Sequence, residues 1–382
     1  MLPGLDPAEG GKECQDWVFC EAWEEGLLLG VLDGHGAWGQ RVVQFCHRVC
    51  TAYFQANSAA IPGDPAGFLR GLCSECQTRL TAGDSGVNCS LSGTTAVFAV
   101  VIKGEVHIAT LGDSRGVLGT ANLPVPPLAA HSQPSFCTAL LSRIRAIRQA
   151  IPSDLKAAPL TTDQKPDDPE ESARILVSGG EIRRAYNDFS LESGPLRVWR
   201  PNEPYPGLAM SRSLGDCIAH TLGVSATPVL THITLRPNSD RFLVFASDGV
   251  WDVMANDEVC AFIDQNRAIS ASEKSKNPEI VLASEVPIAQ LLCEEARTRW
   301  LSVIEVEDTV VDDISCIVVE LTSKRLPEAT ERPTKLELTE VVRERRNSFL
   351  EENREVEAIN TPITPETAPF GRQESYKSSK TH

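Results

Sequence analysis

The chain has 382 residues, a formal net charge of −16 and a hydrophobic content of 42%. This balance is typical of a soluble globular protein, and the negative charge argues against binding to nucleic acid or to an anionic membrane surface. Twelve cysteines without a disulfide-framework spacing, and the absence of an apolar signal or membrane-spanning run, favour a reducing compartment, so we expect a cytoplasmic or nuclear protein.

The first part of the chain alternates between strand-like and helix-like patterns. Short apolar runs bounded by glycine and acidic residues predict strands, and apolar residues at helical spacing predict helices. In chain order the predicted elements are strands at 17–20 and 27–32, helices at 39–56 and 65–81, and three strand-like runs within 92–118.

The second part is interrupted and then ends in a change of composition. Residues 119–159 are proline-rich around one basic amphipathic segment, and they predict an inserted loop with a short helix. The later predicted elements are a helix that begins at Asp168-Pro169 and ends at Gly179-Gly180, a strand at 241–246, helices at 255–268 and 278–301, and a strand at 314–321. We therefore expect one domain over 1–322 and a charged, mostly disordered tail over 323–382.

Acidic residues stand at the ends of several predicted strands. Asp33 follows LLLGVL, Asp113 follows VHIATLG, Asp248 follows RFLVFAS, and Asp312-Asp313 precedes ISCIVVEL. Taken singly, each is more simply a turn that terminates a strand. If the strands pack in one sandwich, however, these ends can converge on one rim, where the carboxylates would raise one another's pKa unless a cation neutralised them. An all-oxygen set favours Mg²⁺ or Mn²⁺ over zinc.

Glycines directly follow two of these aspartates, at Gly34 and Gly249. Because glycine has no Cβ, the backbone there can approach an ion closely, and the Gly34 carbonyl could itself be a ligand.

A series of segments, in order from about Lys12 to Leu321, resembles the metal-dependent Ser/Thr protein phosphatases of the 2C type, the PPM family. The segments are KECQD, VLDGHG, SGTTA, GDSRGVL, DQKPDDPEESARILVSGGEI, LAMSRSLGD, VSATP, FLVFASDGVWDVM and DDISCIVV. The resemblance implies an α+β fold, a four-layer αββα sandwich in which two antiparallel β-sheets are flanked by helices. It also implies that residues 1–322 form a 2C-type catalytic domain.

The resemblance further implies a centre of two Mg²⁺ or Mn²⁺ ions on one rim of the sandwich, with a third, weaker ion. Asp33 matches the carboxylate that bridges both metals, and Gly34 matches a carbonyl ligand. Asp248 and Asp312 match the remaining ligands of one metal, and Asp113 helps Asp248 to hold the third. Asp16 matches an acidic residue that contacts metal-bound water.

The implied activity is hydrolysis of phosphoserine and phosphothreonine in phosphoproteins by a water that the metals activate. His35 matches the proposed general acid for the departing Ser or Thr oxygen, and Lys12 matches a basic residue that contacts the phosphate. We expect a monomer.

Two alternatives remain open. The chain could be a catalytically weak or inactive 2C-type relative that acts as a regulatory binding module, although the aspartates at 33, 113, 248 and 312 are all present. A nucleotide-handling enzyme is disfavoured because no glycine-rich phosphate loop precedes a helix.

The start of the chain departs from the family pattern, since only MLPGLDPAEG precedes KECQD, where the family has a first strand. Either that edge strand is absent, or another segment takes its place, or the chain start is incomplete. The loss of an edge strand would leave backbone groups unpaired and could loosen Asp16 and Lys12.

Overall fold

The structure is a computed structural model that describes residues 1–6, 10–11, 13–83, 85–122, 153–186, 192–276, 287–307 and 311–321. Met1–Ser323 forms one compact unit, and the second unit, Lys324–His382, lies outside the described residues.

The described strands are, in chain order, β1 (Leu5–Asp6), β2 (Gly10–Gly11), β3 (Asp16–Trp23), β4 (Gly26–His35), β5 (Gly93–Ile102), β6 (Glu105–Leu111), β7 (Arg115–Thr120), β8 (Lys156–Pro159), β9 (Glu181–Tyr186), β10 (Glu192–Trp199), β11 (Pro206–Leu208), β12 (Leu214–Gly215), β13 (Val229–Thr234), β14 (Asp240–Ala246) and β15 (Cys316–Glu320). The described α-helices are α1 (Gly39–Asn57), α2 (Pro65–Thr81), α3 (Pro169–Val177), α4 (Cys217–His220), α5 (Asp248–Trp251), α6 (Asn256–Lys276) and α7 (Ile288–Glu307). None of the described helices is both long and apolar enough to cross a membrane.

Antiparallel pairing assembles most of these strands into two larger sheets. One has the order β13-β6-β5-β4-β3, with β12 added beside β5, and the other has the order β15-β14-β7-β8. A smaller sheet, β11-β10-β9, packs its apolar residues with those of α3 and α4.

The two larger sheets face each other across a shared apolar core. Val31 and Val97 from the first sheet are packed in one cluster with Leu118, Leu243 and Phe245 from the second, and all five are at most 2% exposed. Because successive side chains in a strand point to opposite faces, the intervening residues of β4 and β5 are available to the helices on the outer side.

Helices cover the outer face of each sheet. Phe98 and Val100 of β5 pack with apolar residues of α1 and α2, and Phe242 and Val244 of β14 pack with those of α5, α6 and α7. Helix, sheet, sheet and helix therefore form the four layers of the predicted αββα sandwich, and the fold prediction is confirmed.

The N-terminal segment pairs with the chain just before β15. Leu2 and Leu5 form antiparallel bridges to Ile314 and Val311, and both leucines pack against the core beneath α5 to α7. These contacts are isolated bridges, and among the described residues the N-terminal segment does not add a strand to the four-stranded sheet.

The predicted insertion at 119–159 is too wide at both ends. Gly119 and Thr120 belong to β7, and Lys156–Pro159 forms β8, which pairs directly with β7. Residues 123–152, including the predicted short helix, and the predicted tail 323–382 lie outside the described residues. Strand β4 also extends through His35, so Asp33 lies within a strand and not after its end.

Candidate metal centre

Asp16 and Asp33 are direct cross-strand partners on β3 and β4. Asp16 is 2% exposed, and its Oδ2 accepts a hydrogen bond of 2.8 Å from the Ser247 hydroxyl at the end of β14. Burial raises the pKa of Asp16 to about 7, and the nearby carboxylates of Asp312 and Asp313 add to the increase, although the Ser247 hydrogen bond opposes it. The first sheet thus brings two carboxylates to the rim where β14 of the second sheet ends.

Asp248 and Asp312 come to the same rim from the neighbouring strands β14 and β15. Asp248 is the first residue of α5, immediately after β14, and Asp312 shortly precedes β15. Burial raises the pKa of Asp248 well above its usual range, and the Asp312 carboxylate raises it further. Burial also raises the pKa of Asp33. Nearby negative charges raise it further, in decreasing order those of Asp248, Asp16, Asp312 and Asp113. Each of these carboxylates therefore lies within electrostatic range of Asp33.

Asp113 is 3% exposed and follows β6 in a turn that Gln164 fixes. The Gln164 Oε1 accepts a 2.7 Å hydrogen bond from the Gly112 N–H, and the Gln164 N–H donates to the Gly112 carbonyl at 2.9 Å. The adjacent Lys165 donates from Nζ to Asp113 Oδ2. Burial opposes the charge on Lys165, but Asp113, with Asp252 and Asp163, raises the pKa of the ammonium group overall.

Unpartnered oxygen atoms remain in this cluster. Among the described residues, Oδ1 of Asp16, Asp113 and Asp248 is buried and has no hydrogen-bond partner. Within the same described parts of the chain, no three of these carboxylates bring oxygens within 4.8 Å of one another. Buried and half-buried carboxylates that repel one another and keep free oxygens fit the binding of hard divalent cations, which would satisfy the oxygens and offset the repulsion.

Asp313 ties the N-terminal segment to the rim. Its Oδ1 accepts a 2.5 Å hydrogen bond from the Gly4 N–H, and its Oδ2 accepts one of 2.8 Å from the Gln15 N–H, next to Asp16. Asp312 Oδ1 in turn accepts a 2.8 Å hydrogen bond from the Asp313 N–H. Asp313 thus fixes the backbone of Gly4 and Gln15 next to Asp312.

The two glycines next to the aspartates are explained by packing. A Cβ on Gly249 would lie 2.0 Å from the Asp313 carbonyl oxygen, and one on Gly34 would lie 2.6 Å from the Gln15 oxygen and 2.7 Å from the Gly39 oxygen. Both contacts are with backbone, which cannot move aside easily. The absence of a Cβ is therefore required by neighbouring chain segments, whatever the approach of an ion adds to that requirement.

His35 is held by a carboxylate from another part of the chain. Its Nε2 lies 2.7 Å from Asp216 Oδ2, and the same oxygen accepts a 2.6 Å hydrogen bond from the Ser213 hydroxyl. Burial disfavours the imidazolium ion, but Asp216 outweighs burial and raises the pKa of His35. Nδ1 is buried and has no hydrogen-bond partner among the described residues.

Sequence reasoning missed three residues of this region. Lys165, Asp216 and Asp252 were not singled out, although each lies in a segment that carries the resemblance: DQKPDD, LAMSRSLGD and FLVFASDGVWDVM. Their charged side chains inside these segments were the only sequence signal that could have identified them. Lys12, the predicted phosphate-contacting residue, lies outside the described residues.

Comparisons with known proteins agree with this architecture. The family model described as protein phosphatase 2C matches residues 24–297. The chain is 34% identical over 311 residues to probable protein phosphatase 2C 61 of Arabidopsis thaliana, which covers 80% of this chain and 78% of that protein. It is 30% identical over 315 residues to probable protein phosphatase 2C 72 of the same plant, covering 78% of each.

A solved serine-threonine phosphatase 2C from Toxoplasma gondii superimposes with a TM-score of 0.57 at 19% identity, over 81% of this chain and 91% of that one. At this identity the structural likeness concerns the fold alone, whereas the family match spans most of the sequence. The chain belongs to the protein phosphatase 2C family.

Proposed function

We propose that this chain is an active protein serine/threonine phosphatase that depends on two Mg²⁺ or Mn²⁺ ions, with a third, weaker ion. The observation that carries the proposal is the cluster of buried and half-buried carboxylates around Asp33, in which Asp16, Asp113 and Asp248 each retain an unpartnered oxygen among the described residues. The residues that would hold the ions are Asp33, the Gly34 carbonyl, Asp248, Asp312 and Asp113, with Asp16 beside them.

Divalent cations bound there supply positive charge that makes water a nucleophile near neutral pH and offsets the charge of the phosphate. The chain supplies the remaining functions. Lys165 compensates the charge of Asp113 and holds its carboxylate in one orientation. The Ser247 hydroxyl donates to Asp16 Oδ2 and holds that carboxylate in one orientation, so that Oδ1 of Asp16 has a fixed position from which to accept a hydrogen bond from water.

His35 is the proposed general acid. Because Asp216 raises the pKa of the imidazole and occupies Nε2, a proton is available at the unpartnered Nδ1. Transfer of that proton to the Ser or Thr oxygen would allow it to leave as a neutral hydroxyl. The role of Lys12 in contacting the phosphate rests on the sequence resemblance alone.

The proposed substrates are phosphoproteins, and we propose a monomer in the cytoplasm or nucleus. The cysteines in the described part of the chain are free thiols, which supports a reducing compartment.

The test is hydrolysis of p-nitrophenyl phosphate and of a phosphothreonine peptide by the full chain with Mn²⁺, then with excess EDTA. We expect turnover with Mn²⁺, and its loss on chelation. The substitution Asp248→Asn should reduce turnover by more than about 100-fold, since even partners of metal ligands contribute 10- to 100-fold. Asp167→Asn, at an exposed position, is the matched control.

The outcomes separate the alternatives. If the wild-type chain with Mn²⁺ hydrolyses neither substrate faster than the Asp248→Asn variant, the chain is an inactive relative that acts as a binding module. Activity that survives chelation would contradict the proposed metal dependence.

A further inference from the structure

A second group of potential metal ligands lies where β6 pairs with β13, the strand at the edge of the six-stranded sheet. His107 and His232 are direct cross-strand partners, and their rings stack with centroids 4.3 Å apart. The Glu105 Oε2 lies 3.4 Å from the His107 Nε2 and 3.7 Å from the His232 Nε2. Donor atoms of the three side chains all lie within 4.8 Å of one another.

The Glu105–His107 contact is a long hydrogen bond of 3.4 Å, and both carboxylate–imidazole separations also match the spacing of metal ligands. Protein N–H···O hydrogen bonds fall at about 2.7–3.2 Å, and both carboxylate–imidazole distances are longer. In a tetrahedral zinc site, bonds of about 2.0–2.1 Å place neighbouring ligand atoms about 3.3 Å apart. The two imidazole rings lie within 18° of parallel, so the histidine side chains would rotate out of this stack to direct both ring nitrogens to one zinc ion.

The chemistry of the donors also favours zinc. Two imidazoles and one carboxylate form a set that Zn²⁺ binds well, whereas Mg²⁺ prefers oxygen ligands alone. The side chains of His107, His232 and Glu105 are 14%, 49% and 46% exposed, so an ion can enter from solvent and a water can complete the coordination.

The backbone under the three side chains is firmly placed. β6 and β13 remain in register from the Glu105–Thr234 pair to the Thr110–Val229 pair. Val106 and Ile108, on either side of His107, are fully buried in the core between the sheets. The ligands therefore start from a fixed framework, which reduces the entropy lost when an ion binds.

We propose that Glu105, His107 and His232 bind one Zn²⁺ ion at a structural site separate from the carboxylate centre. The two sites lie toward opposite ends of β6, since about 20 Å of extended chain separates His107 from Asp113. The ion joins the edge strand β13 to its neighbour, so it stabilises the sheet against unfolding without taking part in phosphate hydrolysis. This inference does not depend on the proposed phosphatase activity.

Cobalt absorption tests the proposal, because tetrahedral Co²⁺ with nitrogen ligands absorbs visible light strongly and octahedral Co²⁺ with oxygen ligands absorbs weakly. The metal-free full chain is titrated with Co²⁺ and then with Zn²⁺. We expect a strong band whose final amplitude corresponds to one tetrahedral Co²⁺ ion per chain, and which disappears when Zn²⁺ displaces Co²⁺. The Asp248→Asn variant should retain that band, which separates this site from the carboxylate centre.

The substitutions His107→Gln and His232→Gln should each abolish the band and weaken Zn²⁺ binding at this site by at least about 10-fold. Thr234→Ala, on the same edge strand, is the matched control and should retain both the Co²⁺ band and the wild-type affinity for Zn²⁺. Thermal unfolding in EDTA checks that each variant folds. If a histidine variant does not fold, Glu105→Gln replaces it as the ligand variant. A wild-type chain without the band, or a band that survives both histidine substitutions, would overturn the proposal.

Discussion

Asp16 and Asp33 lie opposite each other on adjacent antiparallel strands, an arrangement that brings two carboxylates of like charge side by side. Like charges at this spacing destabilise a strand pair. The pKa of each carboxyl is raised, first by burial and then by the surrounding carboxylates. The folded chain without metal therefore carries an electrostatic cost at the rim, of the kind that functional sites impose on stability.

The substitution Asp33→Asn should therefore stabilise the metal-free protein while it abolishes activity. The amide is nearly the same size as the carboxyl and removes one member of the repelling group. In EDTA we expect the free energy of unfolding to rise, because burial and the neighbouring carboxylates both penalise the charged form of Asp33. Urea denaturation in EDTA, and again with Mn²⁺, measures the effect.

With Mn²⁺ the wild-type chain should be more stable than Asp33→Asn, because the wild-type chain gains binding free energy that the variant lacks. Asp167→Asn, which removes an exposed carboxylate, should leave both measurements unchanged. A variant less stable than wild type in EDTA would show that Asp33 makes a net favourable contribution to the metal-free fold.

The family resemblance implied the layers of this fold, and strong apolar patterns predicted many of the strands and helices within them. β5 is buried along almost its whole length, and that continuous run predicts a strand covered on both faces. The strands of the small sheet, β9 to β11, are mostly half-buried, and no clear periodicity marked them. The end of β4 was also missed, because Asp33 and Gly34 interrupt the apolar pattern while β4 continues to pair with β5 through His35.

The candidate site could be predicted in part for a related reason. The aspartates stand beside apolar strands in short recognisable segments, and the structure brings Asp33, Asp113 and Asp248 within electrostatic range of one another. Lys165 and Asp216 approach Asp113 and His35 from distant parts of the chain, so only tertiary contacts reveal them. The pairing of His107 with His232 depends in the same way on the register between β6 and β13.

If His35 is the general acid, His35→Gln should slow hydrolysis most for substrates whose leaving group is a poor one. A phosphothreonine peptide needs a proton on the departing oxygen, whereas p-nitrophenolate leaves without one. We expect kcat on the peptide to fall by about 10²–10⁴-fold and kcat on p-nitrophenyl phosphate to fall much less. The Asp216→Asn variant should shift both rates in the same direction by smaller factors, because it loosens the imidazole without removing it.

Steady-state kinetics with saturating Mn²⁺ on both substrates provides the comparison. Equal losses on the two substrates would exclude proton donation to the leaving group and would leave His35 with a positioning role.

Lys165 and Asp113 should contribute to stability as a pair, because each buried or partly buried charge is destabilising without the other. In EDTA, Lys165→Met should lower the free energy of unfolding by about 2–3 kcal/mol, since Asp113 is 3% exposed and would be left without its cation. Asp113→Asn combined with Lys165→Met should recover most of that loss, and urea denaturation of the four proteins gives the coupling energy. Added Mg²⁺ should narrow the deficit of Lys165→Met alone. Additive single-variant effects would argue that the lysine acts through packing.

Glu171, on α3, should make acid stability depend on a single buried carboxylate. Its side chain is 5% exposed and accepts hydrogen bonds from Arg174, Arg212 and Ser211. Burial opposes the charge, but these partners outweigh it and lower the pKa of Glu171 from 4.5 to about 2. Because the pKa is lower in the folded state, the stabilisation is complete above pH 4.5 and is lost as the pH falls toward 2.

Glu171→Gln should therefore cost about 3 kcal/mol of unfolding free energy at pH 7, and progressively less as the pH falls below 4.5. Urea denaturation in EDTA at a series of pH values measures this difference, and EDTA keeps metal binding from contributing. Glu170→Gln, at the exposed neighbouring position in the same first turn of α3, is the matched control and should change stability little at any pH. A deficit for Glu171→Gln that stays constant from pH 7 down to pH 2 would show that the side chain stabilises α3 by shape and not by charge.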